Sequence, residues 1–140
     1  MVSVKTLIDS NVIIDVINDT DYADAVIAML RSESMADRSA VNPIVWSEVA
    51  PEFANGDDQQ RFFSDLNLAR VDLPFEAARE AGIAHFRYRQ AGGTRTRTLP
   101  DFLIGAHAAV AGYAILTRDV AVYRHYFPGV ELLVPGGEIR

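Results

Sequence analysis

Apolar and polar positions along the chain alternate in blocks that have the lengths of strands and helices. Short apolar runs with β-branched residues predict strands at 4–8, 39–41, 69–73, 113–117 and 130–134. Between these runs, apolar residues recur at helical spacing and predict helices near 12–17, 20–30, 43–53, 56–66, 75–89 and 102–112. Because strands and helices alternate throughout, we expect an α/β fold: a three-layer α/β/α sandwich around a mainly parallel sheet. At 140 residues, with no internal repeat and no long linker, 1–140 is predicted to form a single domain.

Polar residues and prolines mark where several of these helices begin and end. Asn42 followed by Pro43 is a favourable helix start, with the asparagine as cap. Pro51 lies inside the helix that follows, so we expect that helix to kink or to end early. Thr98 precedes Asp101 by three residues, which is the spacing of a capping box. The helix that begins there is apolar almost all round and should be deeply buried.

Composition and charge exclude several classes of protein. The chain has no cysteine, which excludes disulfides and thiolate metal sites and suits a reducing compartment such as the cytoplasm. No apolar stretch approaches the ~18 residues of a membrane span, so no membrane association is expected. The first residues lack the pattern of a signal peptide. A formal net charge of −6 argues against a surface that grips nucleic acid indiscriminately. Nucleic-acid binding would require a local basic patch or a metal held by the acids.

Four acids fall at positions where a ligand site is expected. Asp9 and Asp119 each follow a strand that should be central, so they share the sheet edge where ligands of open α/β sheets bind. Asp101 opens the most apolar helix, and Glu48 lies on the helix after Pro43. Each acid also has an ordinary explanation as a helix cap, a helix-dipole partner or a solvated surface charge. Gathered together, however, these carboxylates would repel one another, and a hard cation with oxygen ligands relieves that repulsion.

The same acids carry a resemblance to a known family. Four short segments resemble the acidic motifs of PIN-domain proteins, most closely the VapC-type toxins of toxin–antitoxin pairs, in the family's order and at its size. These segments are Leu7-Ile8-Asp9-Ser10-Asn11-Val12, Ser47-Glu48-Val49, Leu99-Pro100-Asp101-Phe102-Leu103-Ile104-Gly105-Ala106 and Leu116-Thr117-Arg118-Asp119. The chain departs from the family pattern at Ala121, where many relatives carry a further acid, which argues against tight binding of a second metal.

The resemblance implies a metal-dependent endoribonuclease, the toxin of a type II toxin–antitoxin pair, which hydrolyses RNA with a water activated by Mg²⁺ or Mn²⁺. It also implies a cognate antitoxin as partner, and a homodimer for which apolar positions near Phe62 and Phe63 are available. Asp9, Asp101 and Asp119 are the predicted metal ligands, while Glu48 would bind the metal or orient the water. Ser10, Asn11 and Thr117 would hydrogen-bond the carboxylates or a phosphate.

Several arginines and a central histidine are further candidates for functional residues. Arg95 and Arg97 lie in the one basic segment of the chain, directly before the third acidic motif, and are predicted to contact RNA phosphates. Arg118, beside Asp119, is a further candidate for RNA contact. His107 lies in the apolar helix, where a hydrogen-bonded core histidine is expected more often than a ligand.

Two other functions stay open on sequence alone. An aspartate-based phosphotransfer protein could use Asp9 as phosphate acceptor, but the position two residues on is Asn11 and the only lysine is Lys5. A PIN fold that binds a partner without catalysis is the second alternative, against which the intact motif acids count. Metal-dependent cleavage of RNA separates the three possibilities.

Overall fold

The computed structural model of the protein describes residues 3–93 and 97–136. The strands are β1 (Thr6–Ile8), β2 (Ser39–Val41), β3 (Ala69–Arg70), β4 (Ala114–Leu116) and β5 (Leu132–Leu133). The helices are α1 (Ser10–Ile17), α2 (Ala23–Leu30), α3 (Pro43–Val49), α4 (Gly56–Asp65), α5 (Phe75–Gln90), α6 (Leu99–Ala111) and α7 (Val120–Arg124). The strands form one five-stranded sheet in the order β3-β2-β1-β4-β5. Every pairing in it is parallel, so the predicted α/β fold with a parallel sheet is confirmed.

The strand order determines where the helices lie. The chain moves from β1 outward to β2 and β3, and then returns to place β4 and β5 on the other side of β1. Because such crossovers are right-handed, helices α1 to α4 cover one face of the sheet and α5 to α7 cover the other. The direction in which successive strands are added to the sheet reverses between β1 and β4. The carboxyl ends of these two strands are therefore the switch point of the sheet.

The helix boundaries follow the local signals in the sequence. The Asn42 side-chain oxygen accepts the backbone N–H groups of Ile44 and Val45, both at 3.0 Å, and so caps α3. The helix ends at Val49 and continues as a short 3-10 turn, Ala50–Glu52, which contains Pro51. The strand Ser39–Val41 has the predicted bounds, and the other four strands are two or three residues shorter than predicted. No helix in the described part of the chain is long and apolar enough to cross a membrane.

The core lies on both faces of the sheet. Leu7, Ile8, Ile115 and Leu116 are fully buried, which is why the central strands read as unbroken apolar runs. The expected deep burial of α6 is confirmed for Phe102 and for the run Ile104 to Ala108. Such continuous burial contributes most of the stability of a fold of this size.

The aromatic residues of α4 pack inside the chain. Phe63 is fully buried and stacks on Trp46 with ring centroids 4.8 Å apart. Phe62 is half-buried and contacts Phe53 at 5.3 Å between centroids. The expectation that this region offers apolar surface to a dimer is therefore wrong for Phe63, because the ring is already covered by its own protomer. The most exposed aromatic side chain among the described residues is instead Phe75, at the start of α5, at 94%.

Two helical glycines give a direct test of this packing. A Cβ at Gly105 would lie 2.4 Å from the buried Phe127 ring, whereas a Cβ at Gly82, on the exposed side of α5, would meet nothing within 4 Å. We therefore expect Gly105→Ala to lower the free energy of unfolding by about 1–3 kcal/mol through overpacking. Gly82→Ala should raise it by up to about 1 kcal/mol, because alanine favours the helix. Urea unfolding of both variants measures the difference, and equal effects would contradict the described packing of α6.

Candidate active site

The pairing of β1 with β4 creates the centre of the site. Ile8 lies opposite Leu116, and the Asp9 backbone N–H donates to the Leu116 carbonyl oxygen at 3.0 Å. The next residues of the two strands, Asp9 and Thr117, are consequently neighbours at the carboxyl edge of the sheet. Asp9 is 5% exposed and Thr117 is fully buried, so the carboxylate lies inside the protein and not on its surface.

Asp9 is held by donors from three parts of the chain. Its Oδ2 atom accepts hydrogen bonds from the Tyr123 hydroxyl at 2.6 Å, the Thr117 hydroxyl at 2.9 Å and the Asn11 amide at 3.4 Å. Its Oδ1 atom accepts the Ser10 backbone N–H at 2.7 Å, which also makes Asp9 the cap of α1. The structure thus brings the predicted Ser10, Asn11 and Thr117 together around Asp9.

Tyr123 is the site residue that the sequence did not reveal. It is fully buried in α7, and its hydroxyl makes the shortest of the bonds to Oδ2. Burial and the charge of Asp9 raise the pKa of Tyr123 well above its ordinary value of 10.0, so the phenol stays protonated and donates. No local pattern distinguishes this tyrosine from a core aromatic, since its partner lies 114 residues earlier in the chain.

Burial and mutual repulsion raise the pKa of two of the acids. Burial is the main cause of the raised pKa of Asp9, which hydrogen bonds from Tyr123, Thr117 and Ser10 oppose and the charge of Asp101 reinforces. Burial also raises the pKa of Glu48, although this residue reaches solvent. The Ser10 side chain lowers that pKa by a hydrogen bond, and the charges of Asp9 and Asp101 raise it further. Asp9, Glu48 and Asp101 therefore form one acidic cluster.

Asp101 and Asp119 occupy helix starts beside this cluster. The Thr98 backbone N–H donates to Asp101 Oδ2 at 3.0 Å, so the capping explanation for Asp101 is correct. Capping is not its whole effect, because its charge also acts on Asp9 and Glu48. Asp119 lies just before α7, is exposed to solvent, and donates its backbone N–H to the Thr117 hydroxyl oxygen at 3.0 Å. A metal contact of Asp119 stays a prediction.

The acids of the cluster provide oxygen ligands of the kind that a hard metal ion requires. Among residues 3–93 and 97–136, no three acidic or histidine side chains are grouped closely enough to hold a metal by themselves. Mg²⁺ typically takes only one or two carboxylates and completes its shell with waters and substrate oxygens. Repelling carboxylates with raised pKa values, as at Asp9 and Glu48, are a donor set that fits such a hard cation. One or two of Asp9, Glu48 and Asp101 could hold it, with waters and substrate oxygens completing the shell.

Arg118 binds within the protein in this structure. Its Nε and Nη2 atoms donate to the two carboxylate oxygens of Asp15 at 2.6 and 3.2 Å, and its guanidinium lies 4.4 Å from the centre of the Tyr22 ring. Asp15 is 2% exposed, so this ion pair fastens α1 to the loop between β4 and α7. The predicted contact of Arg118 with RNA stays a prediction, and it would compete with the Asp15 pairing.

His107 is a core histidine, as expected. It is 1% exposed, and its Nδ1 atom lies 3.1 Å from the Asn42 side-chain nitrogen. Because the Asn42 oxygen is occupied by the cap of α3, the amide nitrogen donates and His107 accepts. Burial lowers the pKa of His107, which agrees with a neutral ring.

A cavity of about 490 Å³ is lined by residues of α5 and of the start of α6, and none of its described lining residues belongs to the acidic cluster. Thr98 lines it and also binds Asp101, which connects the two features. Arg89 and Arg97 belong to its wall, whereas Arg95 lies outside the described residues. The remaining lining residues are His85, Tyr88, Gly93 and Leu99.

Comparisons with known proteins place this chain in a family. The model of the PIN domain family matches residues 6–128, and the chain belongs to that family. A search of curated proteins found no match. Among solved structures, the chain resembles one chain of VapBC2 from Rickettsia felis bound to a promoter DNA fragment. That match has 18% identity, a TM-score of 0.69, and coverage of 92% of this chain and 97% of the other.

Two further structures share the fold at similar sequence identity. DNA-bound VapBC from Salmonella typhimurium matches at 18% identity and a TM-score of 0.67, covering 94% of this chain and 98% of the other. A toxin–antitoxin complex from Klebsiella pneumoniae matches at 20% identity and a TM-score of 0.67 with the same coverage. At these identities the likeness shows a shared PIN fold.

The raised pKa of Glu48 predicts how stability depends on pH. In the metal-free protein, the raised pKa of Glu48 in the folded state stabilises the fold at pH values below the ordinary pKa of 4.5. This contribution is lost as the pH rises through the folded-state pKa. Glu48→Gln should therefore raise Tm in EDTA at about pH 7, while the gain should vanish at about pH 4. The glutamine oxygen can still accept from Ser10, so the comparison isolates the charge.

Thermal melts of a matched variant provide the control. Glu52→Gln removes an exposed glutamate from the neighbouring 3-10 turn and should change Tm little at either pH. Equal melting shifts for the two variants at about pH 7 would contradict the repulsion within the acidic cluster.

Proposed function

We propose that this protein is a metal-dependent endoribonuclease that acts as the toxin of a type II toxin–antitoxin pair. The observation that carries the proposal is the acidic cluster of Asp9, Glu48 and Asp101 at the switch point of the sheet, where burial and repulsion raise the pKa values of Asp9 and Glu48. Membership of the PIN family and the fold shared with chains of toxin–antitoxin complexes support it.

Each residue of the site has a proposed role in hydrolysis. Asp9, Glu48 and Asp101 would hold Mg²⁺ or Mn²⁺, with Asp119 as a further ligand at the same edge. The bound metal would supply a lowered pKa for the attacking water and charge stabilisation for the transferred phosphoryl group. Glu48, which reaches solvent, would orient that water and accept its proton. Ser10, Asn11 and Thr117 keep Asp9 in position.

The cavity beside the cluster supports a single-stranded nucleic acid as substrate. Two of its wall residues, Arg89 and Arg97, carry positive charge in a chain whose net charge is −6. The aromatic side chains of His85 and Tyr88 lie in the same wall, and single-stranded nucleic acids are commonly bound by cations beside aromatic rings. A strand bound there would reach Asp101 through Thr98, which borders both features.

The proposed partners are a cognate antitoxin and a second copy of the chain, in the cytoplasm. The support is the common fold with chains of three toxin–antitoxin complexes. Exposed aromatic side chains on α5, Phe75 at 94% and Phe86 at 60%, are the apolar surface that such a partner would cover.

Cleavage of a single-stranded RNA by the purified chain tests the chemistry. We expect cleavage with Mg²⁺ or Mn²⁺ and none in EDTA. Loss of a residue that only hydrogen-bonds a metal ligand typically lowers activity roughly 10–100-fold. Asp9→Asn should lower the rate of RNA cleavage by more than this, because it removes a charged ligand. The rate of end formation on a labelled oligonucleotide measures this.

Two controls accompany the cleavage assay, and its outcomes separate the alternatives. A DNA oligonucleotide of the same sequence tests the substrate class, and Glu52→Gln tests loss of a carboxylate outside the site. Unchanged cleavage in EDTA or by Asp9→Asn would overturn the mechanism. RNA binding without cleavage under any divalent metal would point to a binding module, and incorporation of phosphate at Asp9 would point to phosphotransfer.

The cavity arginines predict how RNA binding depends on salt. Replacing both Arg89 and Arg97 by alanine should weaken binding and reduce the slope of log K against log salt by about 1.4, since each phosphate contact on a single strand contributes about 0.7. Arg61→Ala removes an exposed arginine of α4 and should leave the slope unchanged. Equal slopes for the double variant and the wild type would exclude the cavity from RNA binding.

A further inference from the structure

The two oxygens of the Asp9 carboxylate have different surroundings. Oδ2 accepts from Tyr123 at 2.6 Å, from Thr117 at 2.9 Å and from Asn11 at 3.4 Å. A carboxylate oxygen offers about two lone-pair positions, so the two short hydroxyl bonds already fill this atom. Oδ2 is therefore occupied by the protein itself.

The direction of the Thr117 hydroxyl is fixed by its other partners. Its oxygen accepts the Asn11 amide at 3.2 Å and the Asp119 backbone N–H at 3.0 Å. Because both lone pairs are used, the single hydroxyl proton must point to Asp9. Tyr123 is fully buried and has its proton directed to the same atom. Neither donor can turn away without leaving a buried polar group unpaired.

The other oxygen, Oδ1, lies on the side of the acidic cluster. The Ser10 hydroxyl is 3.5 Å from Oδ1, and the Ser10 side chain also lowers the pKa of Glu48, so it interacts with both acids. Because Ser10 is shared by the two acids and contacts Asp9 at Oδ1, we take Oδ1, and not Oδ2, as the Asp9 oxygen on the side of Glu48. Besides the 3.5 Å contact, its one bond is from the Ser10 backbone N–H at 2.7 Å, which leaves a lone pair for a cation.

We propose that Tyr123, together with Thr117, makes Asp9 a one-oxygen ligand and thereby selects Mg²⁺ over Ca²⁺ at the acidic cluster. Ca²⁺ accepts carboxylates through both oxygens and takes six to eight ligands, whereas Mg²⁺ requires octahedral geometry and keeps several waters. Blocking Oδ2 removes the two-oxygen mode that Ca²⁺ can use. Tyr123 is in this sense a positioning and specificity-determining residue. The inference rests on the metal site of the proposed function.

Tyr123→Phe tests the inference without relying on catalysis. Titration calorimetry of the purified full chain, without RNA, gives separate affinities for Mg²⁺ and Ca²⁺. We expect the variant to bind Mg²⁺ about 10–100-fold more weakly and to lose at least roughly tenfold in the ratio of Mg²⁺ to Ca²⁺ affinity, since Asp9 can then turn and chelate. Tyr126→Phe is the matched control, because it removes a hydroxyl from a tyrosine whose ring packs on Phe102.

The affinity ratio separates positioning from a merely structural role. A structural role would weaken both metals equally, so an unchanged ratio in Tyr123→Phe overturns the inference. If that variant does not fold, Thr117→Val removes the other donor and must lower the same ratio, while Thr117→Ser must keep it. Absence of Mg²⁺ binding by the wild type would overturn the metal site of the proposed function as well, whereas Mg²⁺ binding with an unchanged ratio overturns only this inference.

Discussion

The parallel pairing of β1 with β4 is the interaction on which the site depends. It brings Asp9 and Thr117 together although they are far apart in the chain, and it buries the Asp9 carboxylate beside the Thr117 hydroxyl. A buried carboxylate is costly unless donors surround it, and the structure supplies four donor residues: Ser10, Asn11, Thr117 and Tyr123. The charge nevertheless remains destabilised, because burial raises the pKa of Asp9 despite these bonds.

The remaining free-energy cost of the buried Asp9 charge connects stability with function. Asp9 and Glu48 both have raised pKa values, and Asp101 adds repulsion to each. A fold selected for stability alone would gain from neutral side chains at these positions. Carboxylates that destabilise the metal-free fold, and whose repulsion a bound cation would reduce, are typical of cation-binding sites. This is the physical basis of the proposed metal-dependent chemistry.

The same arrangement organises the surrounding loops. The ion pair of Asp15 with Arg118 fastens the loop after β4 to α1, and the Arg118 backbone N–H donates to the Asn11 side-chain oxygen at 3.2 Å. Thr117 lies within that loop and therefore has little freedom to move from Asp9. Polar contacts around Asp9 thus fix the positions of Asn11 and Thr117 beside its carboxylate.

The sequence by itself determined the parallel α/β fold, the cap at Asn42, the early end of α3 near Pro51, and Thr117 as a hydrogen-bond partner of a carboxylate at the sheet edge. These features rest on local patterns or on the rule that parallel strands share their carboxyl ends. Only the tertiary structure decided the bond of Tyr123 to Asp9, the pairing of Arg118 with Asp15, and the burial of Phe63. Both polar contacts join residues more than a hundred positions apart, 114 and 103 respectively, so no periodicity or short motif encodes them. They follow from packing, which places side chains in contact only after the sheet has formed.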